Sequence, residues 1–330
     1  MTPHELYLKQ MAALKPALRL REGQSLEAWR PAARQKLWEL LGMDQIVPCD
    51  PDFQAEEALD KGEYLRTRFS FQSEEGFRVP GYFCLPVGAA CQPPEEKLSV
   101  MICLQGHSTG MHISLGEAKY PGDELDGDRD FVRFCIEHGH AALVIEQRCF
   151  GEQGGKPEGG TDCGRASMTA LLLGRTTLAG RVWDVMRAID VAEARFSPGA
   201  QYYCMGNSGG GTATWYAATL EPRIAKAMPS CAVCNYDGSI APISHCICNY
   251  VPGIRRWFEL GDLAGLIAPR PVVIVAGAGD RIFPIDATRK TFQLIQKYYE
   301  AAGAPGNCRL YVGPEGHRFY AEAWEEFVTV

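Results

Sequence analysis

The chain has 330 residues, 46% of them hydrophobic and 22% charged, with a formal net charge of −7 at pH 7. That length can be filled by one large α/β domain with appendages and a sizeable core. The acidic balance argues against nucleic acid or an anionic membrane surface as the main partner, because both recruit basic surfaces.

The start, Met1-Thr2-Pro3-His4-Glu5-Leu6, lacks the basic residues and apolar run of a secretory signal, and no later segment has the length of a bilayer span. The expectation is a soluble, cytoplasmic protein. Thirteen cysteines is an odd count, and several, such as Cys103 and Cys204, sit inside apolar runs as small buried hydrophobes. They read as reduced thiols.

From residue 4 to about 41, Leu6, Met11, Leu14, Leu26, Trp29, Ala33, Leu37, Trp38 and Leu41 recur at three- and four-residue steps, and Gly42 supplies a stop. One amphipathic stripe cannot make a core alone. Residues 1–50 are therefore expected as a helical extension packed on a catalytic domain of residues 51–330. Between 64 and 86 the period changes to two, with a turn at Glu75-Gly76, which predicts an antiparallel hairpin at a sheet edge. Residues 92–97, proline-rich and charged, read as a surface connection.

Continuous apolar runs follow at 100–104, 141–145, 202–205, 224–228, 272–276 and 310–312. Runs apolar on both faces suit parallel strands covered by helices on each side. Helices are predicted near 128–138, 176–194, 210–220 and 287–302. The fold class is α/β, a mostly parallel, doubly wound sheet with one antiparallel edge.

Open α/β sheets collect ligands at the carboxyl ends of their strands. The loop after 202–205 carries Gly206-Asn207-Ser208-Gly209-Gly210, a G-x-S-x-G pattern in which the glycines permit a sharp strand-to-helix turn around the serine. The loop after 272–276 carries Asp280, and the loop after 310–312 carries His317. A serine between glycines is more often a turn residue than a nucleophile. The ordered trio, each member just past a strand, favours a serine hydrolase. His317 would take the Ser208 proton and Asp280 would orient the imidazole. Asp286, farther past its strand, is the competing acid and is more simply a helix cap. The backbone N–H groups of Gly209 and His107 are the expected oxyanion donors.

Further motifs join these: Gln105-Gly106-His107, residues 146–152, Gly174-Arg175-Thr176, residues 181–184, residues 245–253, and Ala268-Pro269-Arg270-Pro271. With them the chain from about Trp29 onward resembles the α/β-hydrolases, and more narrowly the acetyl-xylan-esterase-like branch near the dienelactone hydrolases and carbohydrate esterase family seven. The resemblance implies an α/β-hydrolase fold and hydrolysis of short-chain, acetyl-type esters of sugars or small alcohols, without metal or organic cofactor. Family seven esterases carry a tyrosine at the position of His107 and Arg-Gly-Gln at that of Gln147-Arg148-Cys149. Dienelactone hydrolases use a cysteine nucleophile, which Ser208 excludes.

Two other readings stay open. One is a prolyl-oligopeptidase-like serine peptidase, whose serine context is also G-x-S-x-G-G, although no propeller-sized segment precedes the domain. The other is a catalytically idle binding protein on the same scaffold. A homo-oligomer is possible. Cys231-Ala232-Val233-Cys234 with His245-Cys246-Ile247-Cys248 offers thiolates and an imidazole to zinc, but the pattern is weak, and a structural or pocket-lining role is expected with no metal. Gly209-Gly210-Gly211 lacks nucleotide-loop spacing. A cap-like insertion at about 244–263 would place Tyr250, Ile254, Trp257 and Phe258 along the substrate pocket. Glu146 and Arg148 are expected as an ion pair bracing the oxyanion loop.

Overall fold

The computed structural model describes residues 1–88, 98–108, 110–156 and 159–330. The connection expected at 92–97 lies outside the described residues. The amino-terminal helical pattern resolves into two helices, α1 (Pro3–Ala13) and α2 (Leu26–Leu41). A residue before proline disfavours the helical conformation, so Lys15-Pro16 breaks the pattern. Helix α1 buries none of its residues, whereas α2 buries Leu26, Trp29, Ala33, Leu37 and Leu41. Each such large apolar side chain contributes roughly 1.5 to 3 kcal/mol on burial.

The strands are β1 (Gln54–Ala55), β2 (Leu59–Asp60), β3 (Tyr64–Glu74), β4 (Phe77–Pro86), β5 (Ser99–Leu104), β6 (Ala141–Ile145), β7 (Gln201–Asn207), β8 (Ile224–Ser230), β9 (Val272–Gly277) and β10 (Cys308–Gly313). They lie in the order β1-β3-β4-β6-β5-β7-β8-β9-β10, with β2 also paired to β3. The β3–β4 hairpin turns at Glu75-Gly76, as its period-two pattern predicts, and β4 runs antiparallel to β6. From β6 to β10 all pairings are parallel. The short β1 and β2 lie outside the hairpin, so β3 is not itself the last strand.

Between the strands run α3 (Phe131–Glu137), α4 (Cys163–Leu172), α5 (Thr177–Arg195), α6 (Gly209–Leu220), α7 (Ala264–Ile267), α8 (Ile285–Ala301) and α9 (Ala323–Thr329). They cover both sheet faces. Strand β5 sends Val100, Ile102 and Leu104 into the core shared with α2, α5, α6 and α8, and Met101 and Cys103 into the core shared with α3 and α9. This period-two division is why the parallel strands read as unbroken apolar runs. Helix α2 joins the larger core, where the Trp29 ring lies 5.4 Å from that of Tyr298 on α8.

Strand β5 has β6 on one side and β7 on the other, so the chain reverses its direction of travel across the sheet there. A crevice opens outside the carboxyl ends at such a switch point. Among the described residues no helix is long and apolar enough to cross a membrane.

Candidate active site

Ser208 stands between β7 and α6 with φ 54 and ψ −119, a left-handed conformation that non-glycine residues rarely adopt. The surrounding glycines are required by contact. A Cβ on Gly210 would lie 2.0 Å from Leu104 O, and one on Gly206 would lie 2.5 Å from the Gly210 carbonyl. Ser208 N donates to Ser230 O at 2.8 Å, which fixes the elbow to β8.

Asp280 and His317 come from the loops after β9 and β10. Those two parallel strands are in register from Cys308 opposite Val272 to Gly313 opposite Gly277, which delivers both loops to the same edge. His317 Nδ1 lies 2.8 Å from Asp280 Oδ2. The other carboxylate oxygen of Asp280 accepts from Ile282 N at 2.8 Å and Phe283 N at 3.0 Å. Burial pushes the Asp280 carboxyl up, but the hydrogen bond and charge of His317 and these two N–H groups outweigh it and hold the group below its ordinary value. Phe283 lies nearly parallel to the His317 ring, at 5.8 Å and 16°. Asp286 is 90% exposed on α8, with Arg289 3.9 Å away. It has no contact with the histidine.

The Ser208 hydroxyl makes no hydrogen bond among the described residues, and Nε2 of His317 is likewise unengaged. The backbone N–H groups of Gly209 and His107 also have no acceptor among them. The loop carrying His107 is held from three sides. Gln105 Nε2 donates to Ser114 Oγ at 2.9 Å and to Arg129 O at 2.7 Å, and Gln147 Nε2 donates to Gln105 O.

The third brace corrects the expected Glu146–Arg148 ion pair. Glu146 Oε2 instead accepts from Met111 N and Glu152 N, both at 3.2 Å, and so ties the loop after β5 to the loop after β6. Burial raises its pKa to about 7 despite these two N–H donors. Arg148 points away, bidentate on Asp184 at 2.7 and 2.8 Å and paired with Glu74, which also holds Arg175. Both residues lie past the end of β6, where the chain turns, so their two-residue spacing no longer puts them on one strand face.

The expected pocket residues lie elsewhere. Ile254 and Phe258 are buried in the larger core and Trp257 packs against it. The Tyr250 hydroxyl is spent on Ile240 O at 2.8 Å, and Tyr250 and Ile254 line a separate cavity of about 170 Å³ that Met11 of α1 also borders. Short 3₁₀ turns fold the 244–263 segment so that Phe258 and Trp257 meet the core while Tyr250 stays exposed. The depression beside His107, about 310 Å³, is lined by His107, Ser108, Gly122, Glu124, Arg129, Gly160 and Thr161. These polar residues, like Phe283, carry no motif by which sequence reasoning could have found them.

The zinc grouping weighed from spacing does not assemble either. Cys231 follows β8, where its thiol donates to Arg318 O at 3.2 Å, and His245 Nε2 lies 3.0 Å from Ser239 Oγ. Cys246 and Cys248 gather instead around His107 with Cys163. Burial lowers the His107 pKa, but hydrogen bonds with Cys246 and Cys248 reverse this and lift it to about 9.

No family model matches the chain. The Bacillus subtilis (strain 168) protein named "Putative hydrolase YtaP" is 26% identical over 245 residues, 73% of this chain and 78% of that one. A solved Bacteroides fragilis structure, described as a putative acetyl xylan esterase, superposes with a TM-score of 0.82 at 15% identity, covering 100% of this chain and 95% of that one. A glucuronoyl esterase from Solibacter usitatus gives a TM-score of 0.67 at 13% identity, over 96% and 98% of the two chains. The fold is the α/β-hydrolase fold. Ser208 stands at a strand-to-helix turn of the kind that carries the nucleophile elbow in that fold, and Asp280 and His317 come later in the chain, past β9 and β10.

Proposed function

We propose that the protein is a serine carboxylic-ester hydrolase acting through an acyl-enzyme on Ser208. The observation that carries this is the buried Asp280 carboxylate held 2.8 Å from Nδ1 of His317, at the same sheet edge as a serine in a left-handed elbow. With Nδ1 bound to Asp280, Nε2 is the nitrogen left to accept a proton. The Ser208 hydroxyl delivers its proton there, through a contact that often closes only when substrate is present.

Attack on the ester carbonyl then forms the C–O bond while the Ser208 proton passes to His317. Oxyanion charge is taken by the N–H groups of Gly209 and His107, each such donor contributing on the order of 10² to 10³ in rate. Collapse expels the alcohol, which receives its proton from His317, and water releases the acid by the same steps in reverse order. Asp280 stabilises the imidazolium without taking the proton.

A polar alcohol or sugar ester is the favoured substrate. The depression beside His107 presents Arg129, Glu124, Ser108 and Thr161 and is lined by more polar than apolar surface. The names of the fold neighbours, an acetyl xylan esterase and a glucuronoyl esterase, support the same class, and the hydrolase name of the Bacillus relative agrees. The test is labelling by a fluorophosphonate probe together with turnover of nitrophenyl acetate, acetylated sugars and aminoacyl-proline amides. Both labelling and ester turnover should vanish in Ser208→Ala. Ester turnover that survives this substitution, or amide turnover exceeding it, refutes the reading.

A further inference from the structure

Arg181 is 2% exposed on α5 and has no carboxylate partner among the described residues. Its guanidinium donates to Arg148 O at 2.9 and 3.2 Å, to Cys248 Sγ at 3.3 Å and to Cys163 Sγ at 3.4 Å. A buried cation costs several kcal/mol unless an opposite charge accompanies it. Among the described residues, the groups in contact with it that can carry negative charge are thiols.

Those thiols belong to a compact donor set. His107 Nε2 and the sulfurs of Cys163, Cys246 and Cys248 all lie within 4.8 Å of one another. Cys248 Sγ is 3.3 Å from Cys246 Sγ and 3.3 Å from His107 Nε2, and Cys163 Sγ is 3.8 Å from that nitrogen. A tetrahedral zinc with Zn–S about 2.3 Å and Zn–N about 2.0 Å sets its donors about 3.5 to 3.8 Å apart. Shifts of a few tenths of an ångström bring these contacts to that geometry. Four free donors of this kind, three soft and one imidazole, match structural zinc in type and number.

We propose that His107, Cys163, Cys246 and Cys248 bind one zinc ion in a closed Cys₃His site, with Arg181 as its buried counter-charge. Zinc with three thiolates and a neutral imidazole carries a net charge of −1, which Arg181 cancels. The ligands come from the loop after β5, the first residue of α4 and the turn at residues 246–248, so the ion clamps three segments that share no strand pairing. With four protein ligands it has no open position for substrate. It acts as a positioning element. Nε2 of His107 is held by the metal, and Nδ1 keeps the proton on the side packed against Gly209, where a Cβ would lie 2.8 Å away. The binding site itself does not depend on the esterase reading.

The test uses the full chain purified under reducing conditions. Elemental analysis should find one zinc per chain that survives dialysis, released in step with thiol modification by a mercurial. After removal of zinc by a chelator, loading with cobalt(II) should give thiolate-to-metal charge transfer and the intense visible bands of a tetrahedral ion. Cys163→Ser and Cys246→Ser should each abolish the charge-transfer signature, while Cys49→Ser should not change it. Arg181→Gln should weaken zinc affinity about 10- to 100-fold, as loss of an outer-shell partner does. If the wild-type chain with free thiols retains no zinc and shows no cobalt charge transfer, the proposal is wrong. It is equally wrong if the metal persists unchanged in both Cys163→Ser and Cys246→Ser. These readouts are independent of ester turnover, so failure of one proposal leaves the other standing.

Discussion

The His317 Nδ1 to Asp280 Oδ2 contact of 2.8 Å joins two loops whose backbones are themselves interlocked. Ala278 N donates to Gly313 O at 2.8 Å and Gly279 N to Glu315 O at 2.7 Å. The acid and the histidine therefore move as one unit. Asp280→Asn should lower kcat on nitrophenyl acetate by about 10⁴-fold, because the amide favours the wrong imidazole tautomer. Asp286→Asn, at an exposed position, should stay within twofold of wild type. The reverse pattern of losses would show that the acid has been misassigned.

Glu146 gives a pH signature. Its folded pKa is raised by burial to about 7, above the ordinary glutamate value of 4.5. The folded state therefore binds more protons than the unfolded state between these limits, and stability falls as pH rises from about 4.5 to about 7. The full effect is on the order of 3 kcal/mol. Urea midpoints measured across this range for wild type and Glu146→Gln should diverge, with the variant lacking that part of the decline. Parallel curves would mean that Glu146 titrates as an ordinary carboxylate.

Glycine positions separate contact from conformational freedom. Gly210→Ala places a Cβ 2.0 Å from Leu104 O and 2.6 Å from Gln105 O, both backbone atoms that cannot swing aside. Destabilisation of about 3 kcal/mol and loss of activity are expected, since the elbow and the oxyanion loop must separate. Gly164→Ala, in α4 with open space around it, should instead stabilise by roughly 0.5 to 1 kcal/mol through helix propensity. Thermal unfolding of the two variants checks both signs.

Arg148 satisfies a carboxylate that would otherwise be stranded. Asp184 is 1% exposed and receives two hydrogen bonds from Arg148, with a third from Ser73 Oγ. Arg148→Ala should cost about 3 to 5 kcal/mol by leaving that charge unpaired. Arg148→Lys should recover only part of it, because a lysine cannot grip both oxygens of Asp184 and also reach Glu74. Equal stability of the lysine variant and wild type in denaturant titration would show that the bidentate geometry contributes nothing.

A long apolar stripe made a helix legible in the sequence, whereas the short, core-facing α7 and α9 were not predicted. Helix α5 buries a long stripe from Thr177 to Ala192 and was readable from its spacing. Helix α4 buries only Cys163 and Ser167 and leaves Leu171 and Leu172 exposed, so no apolar stripe marks it. The amino-terminal pattern gave the face of α2 correctly but ran through the break at Pro16, because periodicity counts side chains and ignores what proline does to the residue before it.

By itself the sequence determined the sheet's parallel run, the hairpin beside it, and the positions of Ser208, Asp280 and His317 past their strands. All of these are local: an apolar run, a turn residue and a glycine next to a serine each constrain the backbone within a few residues. Only the tertiary structure decided the partners of Glu146 and Arg148, the inward packing of residues 244–263 and the gathering of Cys163, Cys246 and Cys248 around His107. Those contacts join segments tens of residues apart. Their geometry follows from strand order and core packing, and neither is written in any one stretch of chain.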